Sequence, residues 1–92
     1  MQSKILPQLK PAAPKIYSIS NKINGIKIDW YNVNGADSYR VYRRGAGEKT
    51  WTYITTVTGT SYLDTAVKNA NGQYFRYTVR AVNEKVMSTF TA

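Results

Sequence analysis

The chain has 92 residues and a formal net charge of +8, with 13 lysines and arginines against five acidic residues. It contains neither cysteine nor histidine, which excludes disulfide bonds and thiolate metal sites and removes the usual general base and metal ligand. The length predicts one small domain. No apolar run approaches the ~20 residues of a membrane-spanning helix, and no signal peptide is recognisable, so we expect a module of a longer protein.

The excess of positive charge favours anionic partners. Charge of this size attracts nucleic acid, acidic glycans and wall polymers alike and does not choose among them. No motif of a recognised nucleic-acid-binding module is present, so nucleic acid is the least expected of these partners. A soluble domain whose basic surface binds none of them is the simpler interpretation.

Residues 1–13 predict a proline-containing linker. The prolines of the chain are Pro7, Pro11 and Pro14, and this stretch shows no alternation of apolar and polar residues. Proline lacks a backbone donor and stiffens the chain, which favours a semi-rigid connector over a strand. We therefore place a single domain at residues 14–92.

The domain shows seven short alternating runs between turn signals, which predict seven strands. Ile16 and Ile19 are the inward candidates of the first strand, and Asn24-Gly25 predicts a hairpin turn after it. Ile28 and Trp30 face inward in the second strand, with Trp30 the largest core residue. The strands are expected at 15–20, 26–31, 38–44, 51–57, 60–64, 73–83 and 86–91.

The third strand places Tyr39 and Val41 inward and turns Arg40, Tyr42 and Arg44 outward. The fourth strand is rich in aromatic residues and threonine, which is typical of an edge strand. Its core candidates are Ile54 and Val57, which would point to opposite faces of a regular strand. This opposite parity predicts a β-bulge or an early strand end. In the fifth strand, Tyr62 is expected to face inward.

The sixth strand has the longest alternation and is expected to be central. Its apolar face carries Phe75, Tyr77, Val79 and Ala81. Its polar face carries Tyr74, Arg76, Thr78 and Arg80. No helical spacing interrupts these runs, so the pattern predicts an all-β fold, a β-sandwich of seven antiparallel strands.

Several segments together resemble a fibronectin type III domain of the kind common in bacterial extracellular proteins. They are Pro14 before the first strand, Trp30 at the end of the second, and the stretches Gly35–Arg43, Thr58–Thr65 and Tyr77–Asn83. The resemblance covers residues 12–92 and implies an immunoglobulin-like sandwich in which the third and sixth strands are neighbours. It also implies a non-catalytic module of a larger bacterial cell-surface or secreted protein, such as a carbohydrate-active enzyme or an adhesin.

The sequence departs from this family in two places. The family usually has a tyrosine at the position of Phe75, whose hydroxyl ties back to the preceding loop, and here only the neighbouring Tyr74 is expected to offer a substitute. The last strand lacks the usual proline and serine pattern. The Arg-Gly-Asp motif of some animal members is absent, so integrin-type adhesion is not implied.

The five carboxylates suggest no catalytic pair. Asp29 falls on a polar strand face, Asp37 and Glu48 fall in loops, Asp64 at a strand end and Glu84 in a tight turn, so nothing makes two of them converge. Asp64 is expected to accept bonds from backbone amides of the turn after it. Serines and threonines lack an activating base. We expect no enzyme activity, no catalytic residue, no cofactor and no metal site.

The outward residues of the third, fourth and sixth strands form a candidate binding face. It consists of Arg40, Tyr42, Arg44, Trp51, Tyr53, Tyr74, Arg76 and Arg80. Guanidinium groups stack on aromatic rings and grip phosphate or carboxylate, so the face is suited to an anionic glycan, a cell-wall polymer or a partner protein. Exposed Trp51 and Tyr53 are also suited to stacking on sugar rings. Cross-strand packing, at about 0.2–1 kcal/mol per pair, is the simpler interpretation.

Three functions therefore stay open. The first is a spacer that holds neighbouring domains of the parent chain at a set distance. The second is a glycan- or wall-polymer-binding module, and the third is a protein-docking module that uses the outer sheet face or a strand edge. An extracellular or cell-surface location is implied by the family resemblance alone.

Overall fold

The computed structural model describes residues 11–67, 75–84 and 86–91. In these residues the strands are β1 (Ile16–Lys22), β2 (Gly25–Trp30), β3 (Ser38–Gly45), β4 (Thr52–Val57), β5 (Ser61–Asp64), β6 (Phe75–Asn83) and β7 (Val86–Met87). A single 3₁₀ turn, Thr65–Val67, follows β5 in the described part. No helix among the described residues has the length and apolarity to cross a membrane.

The strands form two antiparallel sheets that face each other. One sheet has the order β1-β2-β5 and the other the order β4-β3-β6-β7. The predicted seven-stranded antiparallel sandwich is therefore confirmed. So are the adjacency of the third and sixth strands and the edge position of the fourth.

The core lies between the two sheets and consists largely of residues that the alternating pattern predicted to face inward. Trp30 and Tyr39 meet edge to face, with ring centroids 5.6 Å apart. The other buried members of the core include Ile26, Ile28, Val41, Val67, Tyr77, Val79 and Ala81. Tyr62 and Phe75 are partly buried against this cluster, in agreement with their predicted orientation.

A β-bulge in β4 brings two residues of opposite parity to the core. The register passes from Val41 opposite Thr55 to Tyr42 opposite Tyr53, so Ile54 is the extra residue. Ile54 and Val57 both pack against the core cluster. The predicted bulge is confirmed, and it explains how a threonine-rich edge strand still contributes two aliphatic side chains to the interior.

A second bulge, which was not predicted, lies in β1. The register passes from Ile16 opposite Trp30 to Ser18 opposite Asp29, which makes Tyr17 the extra residue. The next residue, Ile19, therefore faces inward opposite Ile28, as expected. It is nevertheless 49% exposed, because β1 is an edge strand and Ile19 lines an open groove.

The first hairpin turn confirms the prediction made from Asn24-Gly25. Lys22 pairs with Gly25 across a turn of Ile23 and Asn24. A β-carbon at Gly25 would collide with the backbone carbonyl oxygen of Asp64, so the approach of β2 to β5 requires glycine here.

The last strand is shorter than expected because side-chain hydroxyls replace part of its backbone ladder. The amide of Ala81 donates to Ser88 Oγ at 2.8 Å, and the amide of Val79 donates to Thr91 Oγ1 at 3.1 Å. The chain from Ser88 to Thr91 therefore follows β6 without regular strand pairing. The proposed linker, residues 1–13, lies mostly outside the described residues, and its boundary stays a prediction.

Trp30→Ala should lower the free energy of unfolding by about 3–5 kcal/mol, because it removes the largest buried ring and leaves a cavity. Urea unfolding followed by circular dichroism measures this. Trp51→Ala, at a half-buried position on the sheet surface, is the matched control and should cost clearly less. Equal losses in the two variants would contradict the placement of Trp30 at the centre of the core.

Candidate functional site

The predicted binding face lies on the outer surface of the four-stranded sheet. Its cross-strand pairs are Arg40–Arg80, Tyr42–Thr78 and Arg44–Arg76. Tyr53 of β4 lies opposite Tyr42, and Trp51, just before β4, lies beside Arg44. Seven of the eight predicted residues are thus brought to one face, and Tyr74 lies outside the described residues.

Arginines and aromatic rings alternate across this surface. The guanidinium carbon lies 4.4 Å from the ring centroid in Arg40–Tyr53, 4.6 Å in Arg44–Trp51 and 4.7 Å in Arg80–Phe90. Each contact of this kind contributes about 0.5–1 kcal/mol at an exposed site. The arrangement agrees with cross-strand packing, in which Arg40, Arg44 and Arg80 are half-buried and Arg76 is exposed.

Phe90, which was not predicted as part of the face, covers its centre. Its ring centroid lies 5.1 Å from that of Tyr42 and 6.1 Å from that of Trp51. Tyr42 points outward as predicted but is only 8% exposed, because Phe90 and Tyr53 flank it. Thr78, expected on the solvent side, is also buried opposite Tyr42. These two residues support the face from below and are not open to a partner.

Among the described residues, the four outer arginines Arg40, Arg44, Arg76 and Arg80 have no carboxylate partner. The acidic side chains of the whole sequence all lie in described residues, where the ion pairs are Lys27–Asp29 and Arg43–Asp64. Arg80 donates instead to the carbonyl of Ser88 at 2.8 Å, and Arg40 contacts the sulfur of Met87 at 3.6 Å. Arg40 lies opposite Arg80 and Arg44 opposite Arg76, and like charges in this position destabilise a sheet. An anion bound to this face would relieve the repulsion between these arginines.

Most carboxylates serve the fold and do not converge. The amide of Glu84 donates to Asp37 Oδ2 at 2.6 Å, and the amide of Gly45 donates to Glu48 Oε1 at 2.7 Å. Asp29 pairs with Lys27 on the outside of the three-stranded sheet. Across the described ranges, no three side chains of metal-ligating type come together.

A buried ionic cluster, not predicted from the sequence, links the two sheets. Arg43 on the inward side of β3 donates to Asp64 Oδ2 at 2.6 Å, and the Tyr77 hydroxyl donates to the same oxygen at 2.8 Å. The expected bond from the following turn is present as well, since the Ala66 amide donates to Asp64 Oδ1 at 3.3 Å. The sequence did contain a signal for this cluster. Strand parity places Arg43 on the same face as Tyr39 and Val41, and a charge on that apolar face requires a buried partner.

Comparison with known proteins decides the family. No family model and no curated protein matches the chain. The crystal structure of an Fn3-like protein from Clostridium thermocellum is 33% identical in sequence, with a TM-score of 0.79, and the match covers 91% of this chain and 88% of that one. The chain belongs to the fibronectin type III family.

Two further solved structures show the same fold at lower identity. FN3tt matches this fibronectin type III domain with a TM-score of 0.72 at 23% identity, over 91% of this chain and 90% of that one. Titin kinase with its flanking domains matches with a TM-score of 0.68 at 15% identity, over 90% of this chain and 15% of that one. The family resemblance predicted from the sequence is confirmed.

In this fibronectin type III domain, Tyr77 provides a hydroxyl tie where the usual tyrosine position holds Phe75. The tie joins β6 to the end of β5 in the opposite sheet. Burial raises the pKa of Tyr77 above its ordinary value of about 10, and the hydrogen bond to Asp64 raises it further. The hydroxyl therefore stays protonated, and able to donate, at every pH below that of ordinary tyrosine ionisation.

Tyr77→Phe should lower the free energy of unfolding by about 0.5–1.5 kcal/mol at pH 7, because Asp64 loses one of its donors but keeps Arg43. Above pH ~10 the unfolded tyrosine loses a proton that the folded one retains, so the wild type loses stability as the pH rises. The difference between the two proteins should therefore stay constant below pH ~9 and shrink as the pH rises above ~10.

Urea melts at a series of pH values measure this difference. Tyr53→Phe, which removes an exposed hydroxyl bonded only to Thr56 in the described residues, is the control at pH 7 and should cost little. A wild-type advantage that grows with pH would show that the buried hydroxyl does not hold its proton as the geometry requires.

Proposed function

We propose that this domain is a non-catalytic module of a larger protein that holds neighbouring domains at a set distance. The observation that carries the proposal is the course of the chain. β1 starts beside the end of β2, with Ile16 opposite Trp30, at the pole that contains the loop of residues 31–37. After β7 the chain runs back along β6, where the Thr91 amide donates to the Val79 carbonyl. It therefore enters at one pole and leaves toward the other.

Interactions at both poles hold the sandwich together, which suits it to keep the distance between neighbouring domains fixed. At the pole of the 31–37 loop, the Tyr39 hydroxyl accepts a bond from the Val33 amide at 2.9 Å and donates to Asn32 Oδ1 at 3.2 Å. At the opposite pole, the Arg43–Asp64 ion pair joins the two sheets. This pair and the Tyr77 hydroxyl, which donates to the same carboxylate, connect the two sheets directly at this pole.

The polar chemistry supports a non-catalytic role. Asp29, Asp37, Glu48 and Asp64 each have a bonded partner in the fold. The sequence supplies no histidine or cysteine to activate a serine, threonine or water. The similarity to a protein from Clostridium thermocellum supports a bacterial parent. We propose a secreted or cell-surface location for that parent on the family resemblance.

The spacer role predicts a fixed distance between flanking reporters. A donor and an acceptor fluorophore protein fused to the two ends of the whole chain should give a narrow single-molecule transfer distribution in native buffer. The distribution should shift only at the urea concentration that unfolds the domain. A Gly/Ser chain of equal length is the control, and a native distribution as broad as that of the control would refute a spacing role.

A second candidate function is the docking of an anionic partner, such as an acidic glycan, a wall polymer or an acidic protein surface. The specific observation that favours it is the set of four outer arginines, none of which pairs with a carboxylate of the described residues. Arg76 is exposed, and Arg44 lies directly opposite it. The two cross-strand arginine pairs are four residues apart on each strand, about 13 Å, which spans several charges of an extended polyanion.

Neutralising part of the arginine face should weaken polyanion binding more than the loss of net charge alone would. Arg44→Gln with Arg76→Gln should elute from a dextran sulfate column at lower salt than the wild type. Lys15→Gln with Lys22→Gln removes the same charge from exposed positions around β1 and is the matched control. Equal elution of the two double variants would leave only an unspecific charge effect and would count against docking.

A further inference from the structure

Two exposed tyrosines stack on each other beside the three-stranded sheet, apart from the arginine face. The ring centroids of Tyr17 and Tyr31 lie 4.6 Å apart, with an angle of 35° between the ring planes. The residues remain 57% and 59% exposed. Each ring already contacts the other, so the exposed area belongs to surfaces turned away from the partner. Neither tyrosine was part of the predicted binding face.

The β1 bulge creates this pair. Tyr17 is the extra residue of the bulge, between core-facing Ile16 and outward Ser18. Tyr31 directly follows buried Trp30, and its amide donates to the Lys15 carbonyl at 3.0 Å. Both rings are thus attached to backbone that is fixed by pairing and by the core. Bulges commonly re-aim a side chain at functional sites, and here the bulge directs one ring onto another without filling any part of the interior.

A groove of about 390 Å³ adjoins the pair, which is within the usual range of about 300–1,000 Å³ for small-ligand sites. It is lined by Ala12, Ala13, Lys15, Tyr31, Asn32, Val33 and Asn34. The Tyr39 hydroxyl donates to Asn32 Oδ1, which fixes the orientation of that amide. In the part of the chain that the structure describes, no protein group bonds the Asn32 amide nitrogen, the Asn34 side chain or either tyrosine hydroxyl.

We propose that Tyr17, Tyr31 and the adjoining groove bind a neutral carbohydrate chain. A sugar ring presents a face of C–H groups and a rim of hydroxyls, each of which donates and accepts hydrogen bonds. The aromatic pair matches the face, and the carboxamides of Asn32 and Asn34, which also donate and accept, match the rim. Among the described residues of the lining, Lys15 alone is charged, so the site favours an uncharged polymer over the polyanions suited to the arginine face.

A proline-rich peptide is the competing occupant, and the ring geometry disfavours it. Aromatic grooves that bind polyproline segments receive the prolines in the spaces along the groove. The two tyrosine rings here are in mutual contact, so no space for a pyrrolidine ring remains between them. Each ring keeps exposed area on the side turned away from the other ring, where one sugar ring can lie on it. The site does not depend on the spacer role, since a spacer needs no ligand.

Affinity electrophoresis of the whole 92-residue chain tests the proposal. Gels contain a soluble β-glucan, a xylan or a mannan, and the wild type should be retarded in at least one of them. Tyr17→Ala should weaken the retardation up to about tenfold, the scale of one aromatic contact, while Tyr17→Phe should retain most of it. Ile23→Ala removes an exposed apolar side chain from the turn between β1 and β2, outside both aromatic surfaces, is the control and should bind as the wild type does.

Asn34→Ala supplies a variant outside the strands, so weaker binding with unchanged urea melting would separate recognition from folding. Backbone amide shifts on titration with the retarding polymer should concentrate at Ser18, Tyr31 and Asn34. Three outcomes would overturn the proposal. They are no retardation by any of the three polymers, retardation that Tyr17→Ala leaves unchanged, and binding of a synthetic peptide of residues 1–14 to these tyrosines in place of sugar.

Discussion

The carboxylate of Asp64 is the constraint around which the two sheets are assembled. It lies at the end of β5 in one sheet and accepts bonds from Arg43 and Tyr77 of the other. A buried carboxylate is costly unless it is paired, so β3 and β6 must present their donors at this height of the sandwich. The requirement for Gly25 belongs to the same region, because the backbone carbonyl of Asp64 leaves no room for a side chain there. One polar residue thus fixes the distance between the sheets where the apolar core ends.

Alternation predicted the strands and most of the core because each inward position depends mainly on its neighbours along the chain. The bulge in β4 could also be predicted, since Ile54 and Val57 have opposite parity and both need burial. Ile16 and Ile19 also have opposite parity and both face inward, but no bulge was predicted in β1. Tyr77 was correctly turned inward, but alternation specifies a face and does not specify the partner of a hydroxyl.

The surface was predicted less well than the interior, for a physical reason. The outward direction of Tyr42 follows from parity, but its burial depends on Phe90, which is 48 positions later in the sequence and outside any regular strand. Strand alternation predicts which face of the sheet a side chain lies on, but it does not predict which other residues cover that face. The stacking of Tyr17 on Tyr31 likewise arises from a bulge register and a loop start, neither of which leaves a periodic signal.

The domain therefore presents two aromatic surfaces of different chemistry on opposite sheets. On the four-stranded sheet, guanidinium groups occupy ring faces, so an approaching sugar would have to displace a cation–π contact from Tyr53 or Trp51. On the three-stranded sheet, no described cation lies over the tyrosine pair, and the hydroxyl and amide groups beside it are uncharged. The first surface is thus the candidate for long-range attraction of anions, and the second is the one we propose for an uncharged sugar ring. Because the two surfaces lie on opposite sides of one core, a ligand can bind to either surface without a change in the other.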